Sequence, residues 1–202
     1  TTHYSVETSQ QRYMAALKNW RFLLACLGIG FQSSARYGLL YWVPVHFLGS
    51  DWKDTGSNWI SIALPIGMAL GAVTGGWISD KVFKSVRWKL IVSFMLPAAI
   101  ASFTMFFLPK DHWIGVVVLF FCGFFAYGSQ SAFWALAPDI LGVKRSGTGV
   151  GIMNFCAYLF AGLVNPLIGW LIIVNDQNTA MVFPIVGIAC LLTVLIGLLI
   201  KR

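Results

Sequence analysis

The chain has 202 residues, of which 58% are hydrophobic and only 10% are charged, and its formal net charge is +7. Soluble domains are on average about 45–50% apolar and about 25% charged. Four widely spaced Cys and sixteen Phe further exclude a disulfide scaffold and a disordered chain, so the composition predicts an integral membrane protein.

Six apolar stretches are long enough to cross a bilayer, which takes roughly 20 residues per helix. They are residues 20–48, 58–79, 90–108, 113–138, 147–174 and 181–200. The breaks between them are too short to form a separate domain. We therefore expect an all-α membrane protein in which residues 20–202 form six transmembrane helices, preceded at residues 1–19 by the end of a cytoplasmic linker.

The basic residues are distributed unequally between the two sides of this topology. One side carries 11 of the 14 Lys and Arg residues: Arg12, Lys18, Arg21, Lys81, Lys84, Arg87, Lys89, Lys144, Arg145, Lys201 and Arg202. The opposite loops carry only Lys53 and Lys110. Positive residues accumulate on the cytoplasmic side, so both termini are expected there. The net charge then reflects topology and contact with anionic lipid, not nucleic-acid binding.

Arg36 is the one basic residue in the middle of a predicted span. Burying an arginine there costs at least about 2.5–3.5 kcal/mol, so its side chain should face the protein interior or a water-filled cavity. The only acidic residue within a span is Asp139, at a cytoplasmic edge. A guanidinium without a carboxylate suits a phosphate or carboxylate ligand. The alternative is that Arg36 pairs with backbone carbonyls or with a carboxylate of a partner chain.

Polar residues on three spans recur at helical spacing. On the fifth span Asn154, Tyr158, Ala161 and Asn165 share one face, since a helix turns about 100° per residue. The other candidates for the lining of a polar cavity lie on the first and fourth spans: Gln32, Tyr37, Tyr127, Gln130 and Trp134. The alternative is that these groups form hydrogen bonds between helices, worth about 0.6 kcal/mol each on average.

Glycines repeat every fourth residue at 67, 71 and 75, and again at 147 and 151, a spacing that favours close packing of membrane helices. Signatures of catalysis are missing from the sequence. It has no nucleotide-binding GxxxxGK[ST] loop, and its Cys and His residues lack the spacing of metal or redox sites. We therefore expect neither an enzyme nor a bound metal or cofactor.

The loop between the second and third spans carries the most specific motif. Gly76, Asp80, Lys81 and Arg87 lie in the segment GGWISDKVFKSVR, residues 75–87. This segment resembles the signature loop of the major facilitator superfamily, which joins the second and third helices of each six-helix half. The resemblance implies that Asp80 meets a helix N-terminus at residues 146–149, and that Lys81 and Arg87 complete a cytoplasmic latch. The glycine usual in the middle of the motif is replaced here by Phe83 and Lys84.

A narrower resemblance is to the carboxy-terminal half of the organophosphate:phosphate antiporters. It rests on RYGLLYWVP at residues 36–44, on SDKVFK at 79–84, on Tyr127-Gly128 and on RSGTG at 145–149. In that family the arginine of the RYG segment is one of two that clamp the substrate phosphate. The resemblance implies that Arg36 has this role, and that the second arginine lies in an amino-terminal six-helix half outside this chain.

The expected function is therefore one half of an exchanger of a sugar phosphate or glycerol phosphate for inorganic phosphate. Two alternatives are a membrane sensor of hexose phosphate that does not transport, and a facilitator for another organic anion. The expected partners are the phosphorylated substrate, inorganic phosphate, the bilayer and the other six-helix half. Pairing of two copies of this chain would place two Arg36 side chains face to face, where they repel without an anion between them.

Overall fold

The computed structural model describes residues 8–49, 59–110 and 112–201, and every regular element within them is helical. Several sequence predictions lie outside the described residues: residues 1–7 of the expected linker, Asn58 at the start of the second predicted span, the outer-loop residues 51–54 and Asp111, and Arg202.

Eight α-helices follow one another within the described residues. They are α1 Ser9–Leu17, α2 Trp20–Leu48, α3 Trp59–Trp77, α4 Arg87–Phe107, α5 Ile114–Gly128, α6 Gln130–Leu141, α7 Ser146–Val174 and α8 Val182–Ile200. A π-helical turn, Ile78–Val82, extends α3, and short 3₁₀ turns precede α7 and α8.

The start of the described chain is helical. Thr8 and Gln11 form a reciprocal capping box that begins α1, within the region expected to be a linker. Asn19 then caps α2, because its side-chain oxygen accepts hydrogen bonds from the backbone N–H groups of Arg21 and Phe22. The chain is thus already ordered where it reaches the first predicted span.

Among the residues that the structure describes, five segments have the length and the hydropathy of membrane spans: Ile62–Val82, Arg87–Phe107, Ile114–Leu141, Val143–Val174 and Thr179–Ile200. They correspond to the last five spans expected from the sequence, with α5 and α6 sharing one span. The first expected span, α2, is 29 residues long but is not among the five. Its length is sufficient; Gln32, Ser33, Ser34 and Arg36 lower the hydropathy of its middle.

The glycines at 67, 71 and 75 pack α3 directly against α5. A Cβ atom on these residues would lie 2.0, 2.1 and 2.2 Å from the carbonyl oxygens of Phe120, Phe124 and Gly128 respectively. No side chain fits at such distances, so this part of the glycine prediction is confirmed as a close contact between two helices.

The second glycine prediction is wrong for the described residues. A Cβ on Gly147 or Gly151 would meet no atom within 4 Å, whereas one on Gly149 would lie 2.8 Å from the Leu141 side chain. The packed position on α7 is therefore Gly149, because α7 presents that face to α6 and α2. No other described residue covers the faces of Gly147 and Gly151.

The centre of the bundle is α2, which packs against both α7 and α8, while α4 packs against α8. The largest fully buried side chains include Phe22, Phe133 and Phe183, which come from α2, α6 and α8. Because α2 is surrounded by other helices, its polar middle lies against protein on most sides rather than against lipid. That position is what allows Arg36 to sit at this depth.

Candidate functional site

Arg36 lies in the middle of α2 and is half-buried. Its Nη1 donates a hydrogen bond of 3.2 Å to Oε1 of Gln130, on α6. Its guanidinium carbon lies 4.4 Å from the ring centroid of Tyr127 and 4.7 Å from that of Tyr37. The cation is thus held by a neutral amide and two aromatic faces, which orient it without removing its charge.

The charge of Arg36 is not neutralised within the described part of the chain. No carboxylate there lies within 4.0 Å of its guanidinium, and its Nε is buried without a hydrogen-bond partner. A guanidinium carries five N–H donors in a planar fork. The side chain therefore retains donors for an anionic group that this chain does not itself supply.

Gln130, which contacts Arg36, lies directly after a one-residue break in the helix of the fourth span. The α-helix stops at Gly128 and resumes at Gln130, so that Gln130 is the first residue of α6. Ser129 between them is buried, and its hydroxyl donates to the carbonyl of Ala126 over 3.2 Å. Interrupted helices within membranes occur where the backbone lines a cavity or a binding site. The sequence analysis treated residues 113–138 as one continuous helix and gave no sign of this break.

A fourth helix, α7, reaches the same place through Tyr158. Its ring centroid lies 5.8 Å from that of Tyr37, and 58% of its surface is exposed. Five of the residues predicted from the sequence therefore lie together, and we call them the Arg36 cluster: Arg36, Tyr37, Tyr127, Gln130 and Tyr158.

Three further residues that the sequence predicted for the site are not part of the cluster: Gln32, Trp134 and Asn154. Gln32 is fully buried, and its Nε2 donates a 2.9 Å hydrogen bond to the carbonyl of Ala126. That is the interhelical role raised as the alternative, and it fixes α2 against α5 behind Arg36. Trp134 is half-buried against the core, and Asn154 is exposed on α7, one turn before Tyr158.

Two further polar groups between α2 and α7 are unpartnered. Trp42 has a buried Nε1 without an acceptor, and its ring lies against Gly169. Asn165 donates to the carbonyl of Ala161 over 3.2 Å, while its Oδ1 is buried without a donor. Sequence analysis placed Asn165 on the polar face of α7 but did not select it or Trp42. For Trp42 no pattern in the sequence indicates an unsatisfied N–H group.

The signature loop, residues 75–87, forms an ion-pair network where α3 ends and α4 begins. Arg87, the first residue of α4, donates from Nη1 to Oδ1 of Asp80 at 2.5 Å, and from Nε to Oδ2 of Asp139 at 3.1 Å. Its Nη1 also donates to the hydroxyl of Ser79 over 2.8 Å. We call Arg87, Asp80, Asp139 and Ser79 the latch, because they join the end of α3 to α4 and α6.

The expected partner of Asp80 is not the one observed. Its carboxylate accepts hydrogen bonds from Arg87 and from the hydroxyl of Ser85, rather than from the start of α7 at residues 146–149. The π-helical turn Ile78–Val82 carries Asp80 towards α4, where Arg87 is within reach. Lys81 is exposed beside it, and Gly76 lies opposite Ser131, whose Cβ would be 3.9 Å from an added Cβ.

The loop also shows what the missing glycine does to the backbone. Lys84 and Ser85 have φ angles of 49° and 63°, in the left-handed region that favours glycine. Lys84, one of the two residues in the place of the usual glycine, thus adopts a left-handed backbone with strain, whereas Phe83 has a φ of −90°.

Comparison with known proteins matches residues 5–166 to the Major Facilitator Superfamily. A probable hexose phosphate transport protein of Chlamydia pneumoniae is 32% identical over 124 residues, which are 56% of this chain and 27% of that protein. The glycerol-3-phosphate transporter of Bacillus subtilis is 27% identical over 145 residues, 70% of this chain and 33% of that protein.

A third relative is the membrane sensor protein UhpC of Escherichia coli, 27% identical over 106 residues, 52% of this chain and 23% of the sensor. The matches thus span about a third or less of each of these relatives. Together they confirm the resemblance to the organophosphate:phosphate antiporters and their related sensor.

Proposed function

The chain belongs to the Major Facilitator Superfamily, and we propose that it forms one six-helix half of a transporter that exchanges a phosphorylated small organic molecule for inorganic phosphate. Facilitators of this superfamily consist of two six-helix halves related by an axis along the membrane normal, and they bind substrate between the halves. The relatives named for glycerol-3-phosphate and hexose phosphate transport favour the same substrate class for this chain.

The observation that carries the proposal is the state of Arg36. Its side chain is held by Gln130, Tyr37 and Tyr127, it has no carboxylate partner in the described part of the chain, and its Nε is unpartnered. A phosphoryl group accepts two parallel N–H bonds from such a fork. Inorganic phosphate and a phosphate ester share that group, which is why one arginine serves both directions of an exchange.

The remaining residues of the cluster have the chemistry of a substrate-facing wall. Tyr158 exposes 58% of its surface, and Asn154 is exposed one turn away on the same face of α7. We propose that these two, with Tyr37 and Trp134, contact the organic part of the substrate once a second half covers them. Gln32 supports Arg36 from behind through its bond to Ala126.

Transport is tested with the assembled protein, this chain together with its other half, in liposomes loaded with inorganic phosphate. External radiolabelled glycerol-3-phosphate or glucose-6-phosphate should enter only when phosphate is inside. Arg36→Lys should abolish or strongly reduce counterflow, while Arg12→Lys, the same change on α1, should not. Uptake that proceeds equally without internal phosphate would contradict exchange.

A sensor is the second candidate, because UhpC is among the relatives. A sensor would bind the phosphate ester in the same preparation, with a dependence on Arg36, and would show no counterflow. A carboxylate facilitator is the third, favoured by the 3-(3-hydroxy-phenyl)propionate transporter of Escherichia coli, 30% identical over 130 residues. It would transport an aromatic carboxylate without competition from inorganic phosphate.

We also propose that the protein resides in a bacterial inner membrane with the latch on the cytoplasmic side. A cysteine placed at Lys110 should then react with a membrane-impermeant maleimide added to intact cells, whereas one at the exposed Val143 should not. Labelling of Val143→Cys from outside would reverse the orientation.

A further inference from the structure

A polar cavity of about 310 Å³ lies at the basic end of the bundle, where α2 and α4 begin and α6 and α8 end. We call it the basic cavity and define it by its charged and aromatic lining: Arg21, Arg87, Trp88, Asp139 and Lys201. None of these residues belongs to the Arg36 cluster. Its volume is within the usual range for small-molecule sites, roughly 300–1,000 Å³.

The cavity holds more positive charge than its own carboxylates balance. Arg87 is paired with both Asp80 and Asp139. Arg21 uses Nη2 to donate a 2.9 Å hydrogen bond to the carbonyl of Ile200, and its other N–H groups have no carboxylate within 4.0 Å among residues 8–49, 59–110 and 112–201. The ammonium of Lys201 likewise has no carboxylate within 4.0 Å among these described residues.

The aromatic groups at this end have the positions of a membrane interface. The ammonium of Lys201 lies 4.9 Å from the ring centroid of Trp88, and Trp20 is 56% exposed beside the start of α2. Tryptophans of this kind are enriched at the level of lipid head groups. The α4 helix also begins here, and its N-cap residue, Val86, forms no side-chain capping hydrogen bond, so the positive end of the helix adds to the field of the cations.

We infer that the basic cavity binds the phosphate of an anionic phospholipid in the adjacent leaflet, between Arg21 and Lys201. Basic pockets between membrane helices are suited to such head groups. Val86 and Ile140 also line the cavity; Val86 is 36% exposed and Ile140 is half-buried, which gives the acyl chains an apolar surface beside the two cations. A soluble phosphate ester has no acyl chain to place there, and this distinguishes a lipid from the transported substrate.

A purely structural role of the two cations gives a different expectation. Arg21 hydrogen-bonds the carbonyl at the end of α8, and Lys201 caps the same helix. If they only stabilise this helix end, their removal lowers stability in every lipid and leaves lipid affinity unchanged.

The test measures binding of phosphatidylglycerol to the assembled protein in detergent, with phosphatidylcholine of the same acyl chains for comparison. Each basic residue near anionic lipid is worth about 5-fold in affinity, so Arg21→Gln with Lys201→Gln should weaken phosphatidylglycerol binding about 25-fold. The control, Lys18→Gln with Lys89→Gln, removes the same charge at the same end outside the cavity and should change affinity less than 2-fold. Lys201→Gln alone leaves the Arg21–Ile200 bond in place and should weaken binding about 5-fold, whether or not the double variant folds.

Four results would overturn the inference. Equal losses in the two double variants would mean that lipid adsorbs to net charge. Equal affinity for phosphatidylcholine, or displacement of phosphatidylglycerol by millimolar glycerol-3-phosphate, would mean that the anionic lipid is not the ligand. Unchanged lipid affinity in Lys201→Gln would mean that Lys201 only caps α8 and does not bind lipid. Arg36→Ala should retain the lipid affinity, so this inference stands or fails independently of the proposed transport function.

Discussion

The Arg36 cluster and the latch each contain one arginine. They differ in whether carboxylates of the chain neutralise its charge. Arg87 is paired with two carboxylates and a hydroxyl from its own chain. Arg36 is contacted by an amide oxygen and two tyrosine rings, none of which carries a charge. The two arginines have the same planar set of N–H donors. Arg87 pairs with anions of its own chain, whereas Arg36 has none in the described residues.

This difference indicates how the two sites are used. A guanidinium whose carboxylates come from neighbouring helices holds those helices together, and its partners lie at the solvated end of the bundle. A guanidinium at mid-membrane without a carboxylate is destabilising until an anion arrives. We therefore expect substitutions at Arg36 to change ligand affinity and those at Arg87 to change stability.

The largest expected effect is at Arg36. Arg36→Lys keeps the charge and loses the planar fork, and a charge-assisted hydrogen bond is worth about 1.5–3 kcal/mol. Affinity for phosphate and for a phosphate ester should fall about 10- to 150-fold, and further in Arg36→Ala. The thermal midpoint of Arg36→Ala should be unchanged or higher, because that substitution removes a buried charge.

Calorimetric titration of the assembled protein, beside its thermal midpoint, measures both quantities. Arg12→Lys serves as the control and should change neither. A well-folded Arg36→Ala protein with normal phosphate affinity would remove the distinction between the two arginines and end the phosphate-clamp proposal.

The next effect concerns the helix contact that connects the two regions. The α3 helix ends in the latch, and its partner α5 leads into Gln130. Gly71→Ala would place a Cβ 2.1 Å from the Phe124 carbonyl oxygen, and such overpacking costs about 1–3 kcal/mol. We expect a thermal midpoint several degrees lower, and weaker phosphate binding as Gln130 shifts.

Gly76→Ala is the matched control for that change, since its nearest neighbour would be 3.9 Å away. It should be neutral or slightly stabilising, because alanine favours helix over glycine. If both variants behave alike, the close packing of α3 on α5 does not determine the geometry of either region.

A smaller effect is expected at the latch. Arg87→Gln removes both ion pairs, but Asp80 and Asp139 are 60% and 47% exposed, so water screens much of the loss. The thermal midpoint should fall by a few degrees at low salt and by less at 1 M salt, with phosphate affinity unchanged. Lys81→Gln, an exposed cation beside Asp80, should shift the midpoint less. A tenfold loss of phosphate affinity in Arg87→Gln would contradict the separation of the two sites.

The smallest expected effect is a gain in stability rather than a loss, and it concerns the loop after Asp80. Lys84→Gly relieves a left-handed backbone and should raise stability by up to about 1 kcal/mol. Lys89→Gly removes the same charge inside α4 and should lower stability by about 1 kcal/mol. Thermal melts of the two variants measured together test this, and a Lys84→Gly protein no more stable than its parent would show that the loop is not strained.

Much of the architecture could be predicted from local pattern. Five apolar runs appear as membrane-spanning segments within a few residues of their expected ends, because a helix in lipid must be long and apolar over the whole thickness of the bilayer. The glycine repeat on α3 likewise predicted a close helix contact, because only small residues allow two helix backbones to approach closely. Gly147 and Gly151 follow the same rule and pack against nothing here, because spacing does not say which face of a helix meets a neighbour.

The arrangement of side chains at the site was predictable only in part. The sequence selected Tyr127, Gln130 and Trp134 on the fourth span without distinguishing among them. Helix packing then decided that Gln130 and Tyr127 contact Arg36. Gln32 looked like a cavity residue, and its burial against Ala126 follows from the approach of α5 to α2. Neither result is encoded in the periodicity of a single span.

The sequence by itself determined that this chain lies in a membrane, that Arg36 is a charge at mid-depth without an acidic partner nearby in the chain, and that its loop resembles the superfamily signature. These depend on composition and on order along the chain. The tertiary structure alone decided which groups meet: Gln130 and two tyrosines on Arg36, and Arg87 rather than a helix end on Asp80. The reason is physical. Hydrogen bonds and ion pairs act over about 3 Å, and residues 7 to 94 positions apart come within that distance only when helices have packed.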